Sequence, residues 1–389
     1  MRRLLFAAFV MGCGALQAQG DPVEPRVPYI GLHLHRADQG TAWPVAGFGS
    51  WRLWDANVAW PNLEPERGRW DFARLDRYVA MARLTGVEIL LPLGLSPGWA
   101  SARPAERSSY ALGNAAEPKN MGDWRNYVRT VATRYKGRIR DFEIWNEPNE
   151  TGFFSGTPEK LVELTCEAQA ILKAVSVENR LVSPSMIGEG REPQLLEQFL
   201  RLGGNKCVDI VGYHFYVPKG APEATLPLVR RVREAMKRAG VENLPLWNTE
   251  AGWWIENADG TPEAVDSRWR RVSSAESAAY VARALIVGRV AGLERYYWYA
   301  WDNTSLGLIE PSSGALKPGA IAFATVARWL AGNDIDDCDE QVGRWVCRLK
   351  GKEGNLRGYI VWSTRRNAPF FQVQPGEAIE AVEHLDGRR

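Results

Sequence analysis

The sequence predicts an α/β protein: a (β/α)₈ barrel of the TIM type, followed by a small C-terminal β-rich module. Short β-branched or aromatic runs alternate with amphipathic segments, a pattern typical of repeated βα units around a parallel sheet. Eight such runs can be counted, and eight is the number of strands that closes a barrel of this type. The predicted strands are residues 29–34, 49–54, 88–93, 141–145, 180–183, 208–213, 245–249 and 295–300.

Helices are predicted between most of these strands. Asp71 can cap a helix that Gly86 ends, and Ser273 or Ser274 can open another. Weaker helical patterns cover residues 123–134, 158–175, 193–202, 225–239 and 319–331. Residues 36–48 are rich in Gly and Pro and have no helical period, so we expect them to form an active-site loop.

After Gly332 the pattern changes to short alternating strands, such as residues 345–349 and 356–362, with no further helix. A segment of this size makes a poor independent core, so we expect it to pack on the barrel. It either takes a strand from residues 23–27 or forms an incomplete sandwich. The predicted divisions are a signal peptide at 1–20, a catalytic barrel at 21–332 and the β-module at 333–389.

The first twenty residues have the features of an export signal: Arg2 and Arg3 precede an apolar run, which small residues follow. The run is too short to span a bilayer. Cleavage after Ala18 would release a soluble protein, whereas the four residues ending at Cys13 resemble a lipoprotein box and would leave a lipid anchor. Both routes predict a secreted or periplasmic protein.

Four cysteines remain in the body of the chain. Cys338 and Cys347 flank a turn at Gly343, which predicts a disulfide across a β-hairpin. Cys166 and Cys207 form either a second disulfide or two buried thiols. No CxxC or His-rich spacing indicates a metal site, and we expect no cofactor.

Composition narrows the classes of partner. With 45% hydrophobic and 24% charged residues, the chain can bury a full-sized core and is not disordered. A net charge of +2 gives no electrostatic reason to expect nucleic acid as a partner, and we expect a monomer. The 17 Trp residues offer flat apolar faces on which sugar rings can stack, although most are expected to serve as packing residues.

Two acidic residues follow predicted strands at the end where reactive groups gather in such barrels. The fourth strand runs into Trp145-Asn146-Glu147-Pro148, and the seventh ends at Thr249-Glu250. Strands four and seven lie across the barrel from each other. We therefore expect Glu147 and Glu250 to face one another over the mouth of the barrel.

With these motifs the chain resembles clan A of the glycoside hydrolases. It is most similar to family 39, especially secreted bacterial members that cut exopolysaccharide, and family 5 is the nearest competitor; the resemblance covers residues 29–331. It implies a retaining reaction in which Glu147 is the acid/base, Glu250 the nucleophile and Asn146 a ligand of the sugar 2-hydroxyl. An ionised Glu250 would raise the pKa of Glu147 until that group holds a proton.

Other residues at strand ends are candidates for the same site. Arg52 resembles the Arg that clan A members place beside the nucleophile, and His214 with Tyr216 matches a His-x-Tyr pattern whose Tyr bonds the nucleophile. His35 is a candidate sugar ligand, although His33 is an equal candidate for the inward position. Trp301 is the candidate platform under the sugar at the cleavage point. Candidates for outer subsites are Trp99, Trp253 and Trp254.

Four other acids are set aside. Glu143 precedes the strand end and is expected to point into the barrel or towards the helices. Glu64 and Glu66 are expected in a solvated turn, and Glu256 in a polar loop.

The sequence thus predicts a retaining glycoside hydrolase that cleaves β-glycosidic bonds of a polysaccharide, with endo action on a bacterial exopolysaccharide favoured. Long loops could wall a groove or close a pocket, so exo action of the β-xylosidase kind stays open, as does transglycosylation. A carbohydrate-binding barrel without catalysis is the alternative from another class. The loops concerned are residues 36–48, 101–120, 253–272 and 302–317.

Overall fold

A computed structural model describes residues 26–263, 266–365, 368–369, 371–372 and 379–388 of the chain. The predicted signal peptide and the lipid site at Cys13 lie outside the described residues. Among the helices of these ranges, none has both the length and the apolar character that a membrane span requires.

The barrel prediction is confirmed. All eight predicted strands are present and pair in parallel in the circular order β5-β4-β3-β2-β1-β8-β7-β6. The strands are β1 (Val27–His33), β2 (Phe48–Arg52), β3 (Glu88–Leu93), β4 (Asp141–Ile144), β5 (Arg180–Val182, continued by Met186–Ile187), β6 (Val211–His214), β7 (Leu246–Ala251) and β8 (Arg295–Trp298).

The fifth strand closes the barrel although it is interrupted. Its first segment pairs with β4 and its second with β6, and residues Ser183, Pro184 and Ser185 lie between the two. A further parallel bridge joins Val182 to Ile210, just before β6. The predicted sixth strand therefore begins three residues early, because residues 208–210 approach β5 only through this bridge.

Helices surround the sheet. They are α1 (Trp60–Leu63), α2 (Ala73–Thr85), α3 (Met121–Arg134), α4 (Pro158–Val175), α5 (Glu192–Arg201), α6 (Thr225–Arg238), α7 (Ser274–Val290) and α8 (Pro318–Leu330), with 3₁₀ turns at Gly204–Lys206 and Pro222–Ala224. Residues 36–47 contain neither helix nor strand, as the sequence predicts.

Helix ends follow the local sequence with one correction. Gly86 ends α2 in the left-handed conformation, and Ser273 forms a capping box with Glu276 at the start of α7. The N-cap of α2, however, is Phe72 and not Asp71. Asp71 still accepts a hydrogen bond from the backbone N–H of Ala73 at 3.0 Å, so it serves the same end of the helix from one residue further out.

Residues beyond α8 form an antiparallel sheet of three strands, β9 (Asn333–Gln341), β10 (Arg344–Gly351) and β11 (Leu356–Ser363). It contacts the barrel helices through an Arg289–Asp334 ion pair of 2.6 Å and a 2.8 Å hydrogen bond from Trp362 Nε1 to Glu223. Val27 pairs with Phe48 inside the barrel, so this part of the N-terminal segment adds no strand to the sheet.

Both cysteine pairs are bridged. Cys338–Cys347 crosses the hairpin of β9 and β10, where the two residues are direct cross-strand partners. Cys166–Cys207 joins α4 to the segment before β6, which decides the alternative that the sequence left open. This second bridge closes a loop with a sequence separation of 41 residues, a length at which a disulfide restricts the unfolded chain appreciably.

Candidate active site

The candidate site lies at the C-terminal ends of the strands. Arg52 ends β2, His214 ends β6 and Glu250 is the next-to-last residue of β7. Glu147 follows β4 by three residues, and its backbone N–H donates to Ser185 O at 3.1 Å. The φ of Glu147 is 41°, a conformation that is unfavourable for residues with a side chain and that often occurs at functional sites.

Glu147 and Glu250 lie close together, as expected for residues from opposite strands. One carboxylate oxygen of each, together with a ring nitrogen of His214, lie within 4.8 Å of one another. Both side chains are largely withdrawn from solvent, with residue exposures of 7% and 6%. The pair therefore forms a compact acidic site that opens at the barrel mouth.

Arg52 is the centre of the hydrogen bonds beneath this pair and is fully buried. Its Nε donates to Glu143 at 2.5 Å, Nη1 to Glu250 at 2.9 Å and Nη2 to the Asn146 side-chain oxygen at 2.7 Å. One guanidinium thus links residues of β2, β4 and β7. Charge-assisted hydrogen bonds of this kind are among the stronger ones in proteins.

Each acid also has a partner on β6 or just after it. Tyr216 donates its hydroxyl hydrogen to Glu250 Oε1 at 3.0 Å. His214 Nδ1 lies 2.7 Å from Glu147 Oε1 and 3.9 Å from Glu250 Oε1. Burial lowers the pKa of His214 to about 4, so its ring is neutral near pH 7 and adds no cation to the site.

The two acids differ in their affinity for a proton. Burial raises the pKa of Glu147 to about 8 and that of Glu250 to about 7, while the Arg52 charge lowers both. The cause differs from the one the sequence suggests: loss of solvent, rather than the charge of Glu250, has the largest effect on Glu147. The Glu147 charge, in turn, raises the pKa of Glu250.

Both histidines of the first strand region are buried. His33 points across the barrel, where its Nε2 lies 3.0 Å from the backbone oxygen of Thr249. The His35 backbone N–H donates to Asp302 at 2.9 Å, and its ring lies 5.0 Å from that of Tyr299. The Nε2 of His35 is buried and has no hydrogen-bond partner among the described residues.

Three of the predicted tryptophans are buried in the described structure. Trp253 is 1% exposed and packs on Trp298, so it is a core residue. Trp301 also belongs to the hydrophobic core, at 4% exposure. Trp254 is buried as well, and its ring stacks on that of Trp269 with the centroids 5.9 Å apart.

Trp99 is half-buried and packs edge-on against Trp60. Its Nε1 donates to the Glu64 backbone oxygen at 2.9 Å, and the Arg67 guanidinium covers its ring. Trp99 thus fills the space between two neighbouring loops.

The structure brings three other residues to the mouth that the sequence reasoning did not single out. Asp55 accepts hydrogen bonds from the hydroxyls of Tyr110 and Tyr299. Asp55 lies three residues after Arg52, the end of β2, so a search for polar residues just after the predicted strands could have found it. Tyr299 follows β8 and had no comparable signal, because aromatic residues fill both faces of that strand.

The acids that were set aside have structural partners. Glu143 points into the barrel, where it binds Arg52 and accepts from Ser185 Oγ at 2.6 Å. The prediction of a solvated turn is wrong for Glu64, which is 1% exposed because Trp60 Nε1 and the Gly68 N–H both donate to its carboxylate at 2.8 Å. Glu66 is exposed and pairs with Arg69, and Glu256 is partly exposed.

Glu147, His214 and Glu250 are also spaced as three ligands of a metal ion would be. The donor atoms are already engaged, His214 with Glu147 and Glu250 with Arg52 and Tyr216. A fixed guanidinium 2.9 Å from Glu250 opposes the approach of a second cation. The arrangement instead suits a protonated Glu147 beside an ionised Glu250 that is bonded to Arg52.

The comparisons with known proteins point to one family. The family model described as glycosyl hydrolases family 39 matches residues 51–290, which is more than half of the chain and includes both acids. A curated β-xylosidase of Geobacillus stearothermophilus is 25% identical over 248 residues, covering 56% of this chain and 46% of that protein. The chain therefore spans about half the length of this curated relative.

Solved structures share the fold. A family 39 glycoside hydrolase from the gut symbiont Bacteroides cellulosilyticus WH2 aligns with a TM-score of 0.68 and 20% identity, over 88% of this chain and 71% of that one. A monomeric β-xylosidase from Caulobacter crescentus CB15 aligns with a TM-score of 0.58 and 20% identity, over 77% and 67% of the two chains. At these identities the likeness extends to the fold.

Proposed function

The chain belongs to glycosyl hydrolase family 39, and we therefore propose that it cleaves β-glycosidic bonds with retention of configuration. The observation that carries the proposal is the meeting of Glu147 and Glu250 within 4.8 Å around His214. Retaining enzymes hold their two carboxyl groups about 5–5.5 Å apart, whereas inverting enzymes leave about 6.5–9.5 Å for a water molecule. The 4.8 Å limit applies to one oxygen of each carboxylate, and so close an approach leaves little room for a water molecule between the two acids, which supports double displacement.

In the first step the Glu250 carboxylate attacks the anomeric carbon while the Glu147 carboxyl donates its proton to the leaving oxygen. The glycosidic C–O bond breaks as an ester bond to Glu250 forms. Arg52 and Tyr216 hold the two oxygens of Glu250 from separate sides, which fixes the direction of attack.

In the second step Glu147, now ionised, removes a proton from water, and the water oxygen displaces Glu250 from the anomeric carbon. Asn146 is placed to assist both steps. Its side-chain oxygen accepts from Arg52, which leaves its amide N–H groups to donate to the sugar 2-hydroxyl.

For the substrate we favour internal cleavage of a bacterial polysaccharide. Aromatic side chains lie on both sides of the acids. Tyr110 contacts Trp54 and Phe153 on the β2 to β4 side, and Trp269 contacts Tyr216 and Trp254 on the β6 to β7 side. Aromatic surfaces on opposite sides suit a sugar chain that crosses the mouth.

A second candidate is removal of terminal xylose, which the β-xylosidase relative favours. The two modes differ in their products. Incubation with a panel of bacterial polysaccharides and xylans, followed by sizing of the products, is expected to give a ladder of oligosaccharides early in the reaction. Release of a single monosaccharide from the start would favour the second candidate, and the Glu250→Ala protein provides the background.

We expect kcat/KM to depend on pH as a bell. Activity requires ionised Glu250 and protonated Glu147, so it rises as the pH passes about 7 and falls as it passes about 8. For a phenyl glycoside, whose poor leaving group needs the acid, Glu147→Gln is expected to react slowly and to lose the alkaline fall. Glu256→Gln, a change in the loop after β7, should keep both limbs. An unchanged alkaline limb in Glu147→Gln would contradict the assignment.

Compartment and assembly belong to the same proposal. The two disulfides support a secreted or periplasmic location, because such bonds persist in oxidising compartments. We favour a monomer, because the β-xylosidase from Caulobacter crescentus CB15 that shares this fold is described as monomeric.

A barrel that binds carbohydrate without cleaving it would not be labelled by a mechanism-based 2-fluoroglycoside.

A further inference from the structure

Asp55 is held in a fixed position at the barrel mouth. It lies three residues beyond the end of β2 with a φ of 57°, a conformation that Asp and Asn tolerate better than most residues. Tyr110, from the loop after β3, donates to one of its carboxylate oxygens, and Tyr299, after β8, donates to the other at 2.7 Å. Two elements on either side of β2 therefore orient one acid.

This acid adjoins the proposed catalytic pair. The ring of Tyr299, which binds Asp55, lies 5.0 Å from the ring of His33, and His33 Nε2 lies 3.0 Å from the backbone oxygen of Thr249, the residue before Glu250. The charge of Asp55 raises the pKa of both Glu147 and Glu250, and it also acts on His35, whose ring packs against Tyr299. An ionised carboxylate can accept about four hydrogen bonds, and the two tyrosines use two of these positions. Asp55 is partly exposed, so the remaining positions are open to a ligand.

The acids at the mouth share one cation within the described part of the chain. Among the described residues, Arg52 is the one Lys or Arg that bonds to any of the four acids at the mouth, which are Glu143, Glu147, Glu250 and Asp55. Its Nε donates to Glu143, its Nη1 to Glu250 and its Nη2 to Asn146, so all three nitrogens are already engaged. The neighbouring histidines are neutral near pH 7 because burial lowers the pKa of His33, His35 and His214. Arg36 also acts on His35, but its guanidinium pairs with Asp302. A carboxylate on the bound sugar would therefore meet acids whose nearby cations are already paired.

We propose that Asp55 determines the charge class of the sugar at the cleavage point: it accepts hydrogen bonds from hydroxyls of a neutral glycone and excludes uronic acids. The inference rests on the proposed function and adds its substrate class. A hydroxyl bonded to an ionised acceptor contributes more than one bonded to a neutral acceptor, and the carboxylate of a uronate would be repelled by the same ionised acceptor.

The test uses two reagents that differ only at C6: the 2,4-dinitrophenyl 2-deoxy-2-fluoro β-glucoside and the corresponding β-glucuronide. A xyloside reagent of the same type is the third. Rates of covalent labelling are read by intact-protein mass spectrometry. The wild-type protein is expected to react about 100-fold faster with the better neutral reagent than with the glucuronide.

Asp55→Asn, which suits the same backbone conformation, is expected to slow labelling by the neutral reagents about 10- to 100-fold. In this variant, the ratio of the labelling rate with the neutral reagent to the labelling rate with the glucuronide should fall at least tenfold. Tyr110→Phe is the matched control, because it removes one donor and keeps the Asp55 charge, and it should preserve the wild-type ratio. Thermal unfolding establishes that each variant is folded.

Three results would overturn the inference, and they are distinguishable. Equal labelling of the wild type by glucoside and glucuronide contradicts the exclusion of uronic acids alone. A uniform loss with all reagents in Asp55→Asn, leaving the ratio unchanged, makes Asp55 a structural brace for the two tyrosines. Absence of labelling of the wild type by every reagent contradicts the proposed function itself and the inference with it.

Discussion

Glu250→Ala is expected to lower kcat by roughly 10⁴- to 10⁶-fold while the protein stays folded, as is usual when a covalent nucleophile is removed. The physical reason is that no other described carboxylate is placed to form the glycosyl ester. Glu143 lies beneath the mouth and is bonded to Arg52 and Ser185, and Glu147 is needed to protonate the leaving group. The measurement is turnover of the polysaccharide that the screen identifies, together with a 2,4-dinitrophenyl glycoside.

Glu66→Ala is the matched control for this change. Glu66 is an exposed acid on the loop after β2 that pairs with Arg69, so its removal should leave turnover within about twofold of wild type. Azide supplied in the reaction should restore part of the activity of Glu250→Ala, because a small anion can enter the space of the missing side chain. Turnover of Glu250→Ala near the wild-type rate would remove Glu250 from the mechanism.

Arg52→Met is expected to destabilise the protein by about 3–5 kcal/mol, the usual cost of removing one partner of a buried ion pair. The guanidinium is fully buried, and its loss leaves Glu143 and Glu250 without their cation and Asn146 without a donor. Activity should also fall, because the pKa of Glu250 would rise and fewer molecules would carry the ionised nucleophile at neutral pH. Denaturant unfolding measures the first effect and the pH profile the second.

Arg125→Met serves as the control for the loss of stability. Arg125 forms a bidentate pair with Glu167 at the surface, with 44% of its side chain exposed, so its removal should leave the free energy of unfolding close to that of the wild type. Adding Glu143→Gln to Arg52→Met should recover part of the lost stability, since it removes one of the two uncompensated charges. Equal destabilisation by Arg52→Met and Arg125→Met would contradict the role given to Arg52.

The fold was predictable because the barrel repeats one simple unit. Each strand is a short, largely buried run, and helix ends carry local signals, as Gly86 and Ser273 illustrate. The first residue of α4 agrees with the prediction because Pro158 can begin a helix but cannot continue one, and Thr157 caps it. The break in β5 was not predictable, since its second segment has only two residues and no pattern of its own.

The two acids could be located because they depend on the same strand ends. Residues whose environment is set by other loops could not be located with the same rule. Trp253 follows a strand and yet packs into the core, because its ring lies against Trp298 and Tyr280 from other elements of the barrel. Glu64 lies in a turn that looks solvated and is buried by Trp60, a residue four positions away whose orientation the sequence does not indicate.

The interruption of β5 affects how the spacing of the two acids is maintained. Ser185, in the gap, accepts the Glu147 N–H with its backbone oxygen, donates its hydroxyl to Glu143 and lies 2.7 Å from Thr249 Oγ1, beside Glu250. A Cβ at Gly212 on β6 would come within 2.3 Å of that hydroxyl. A single small residue that belongs to neither acid's strand thus couples the two, so substitutions at 185 or 212 would alter the gap between nucleophile and acid without touching either one.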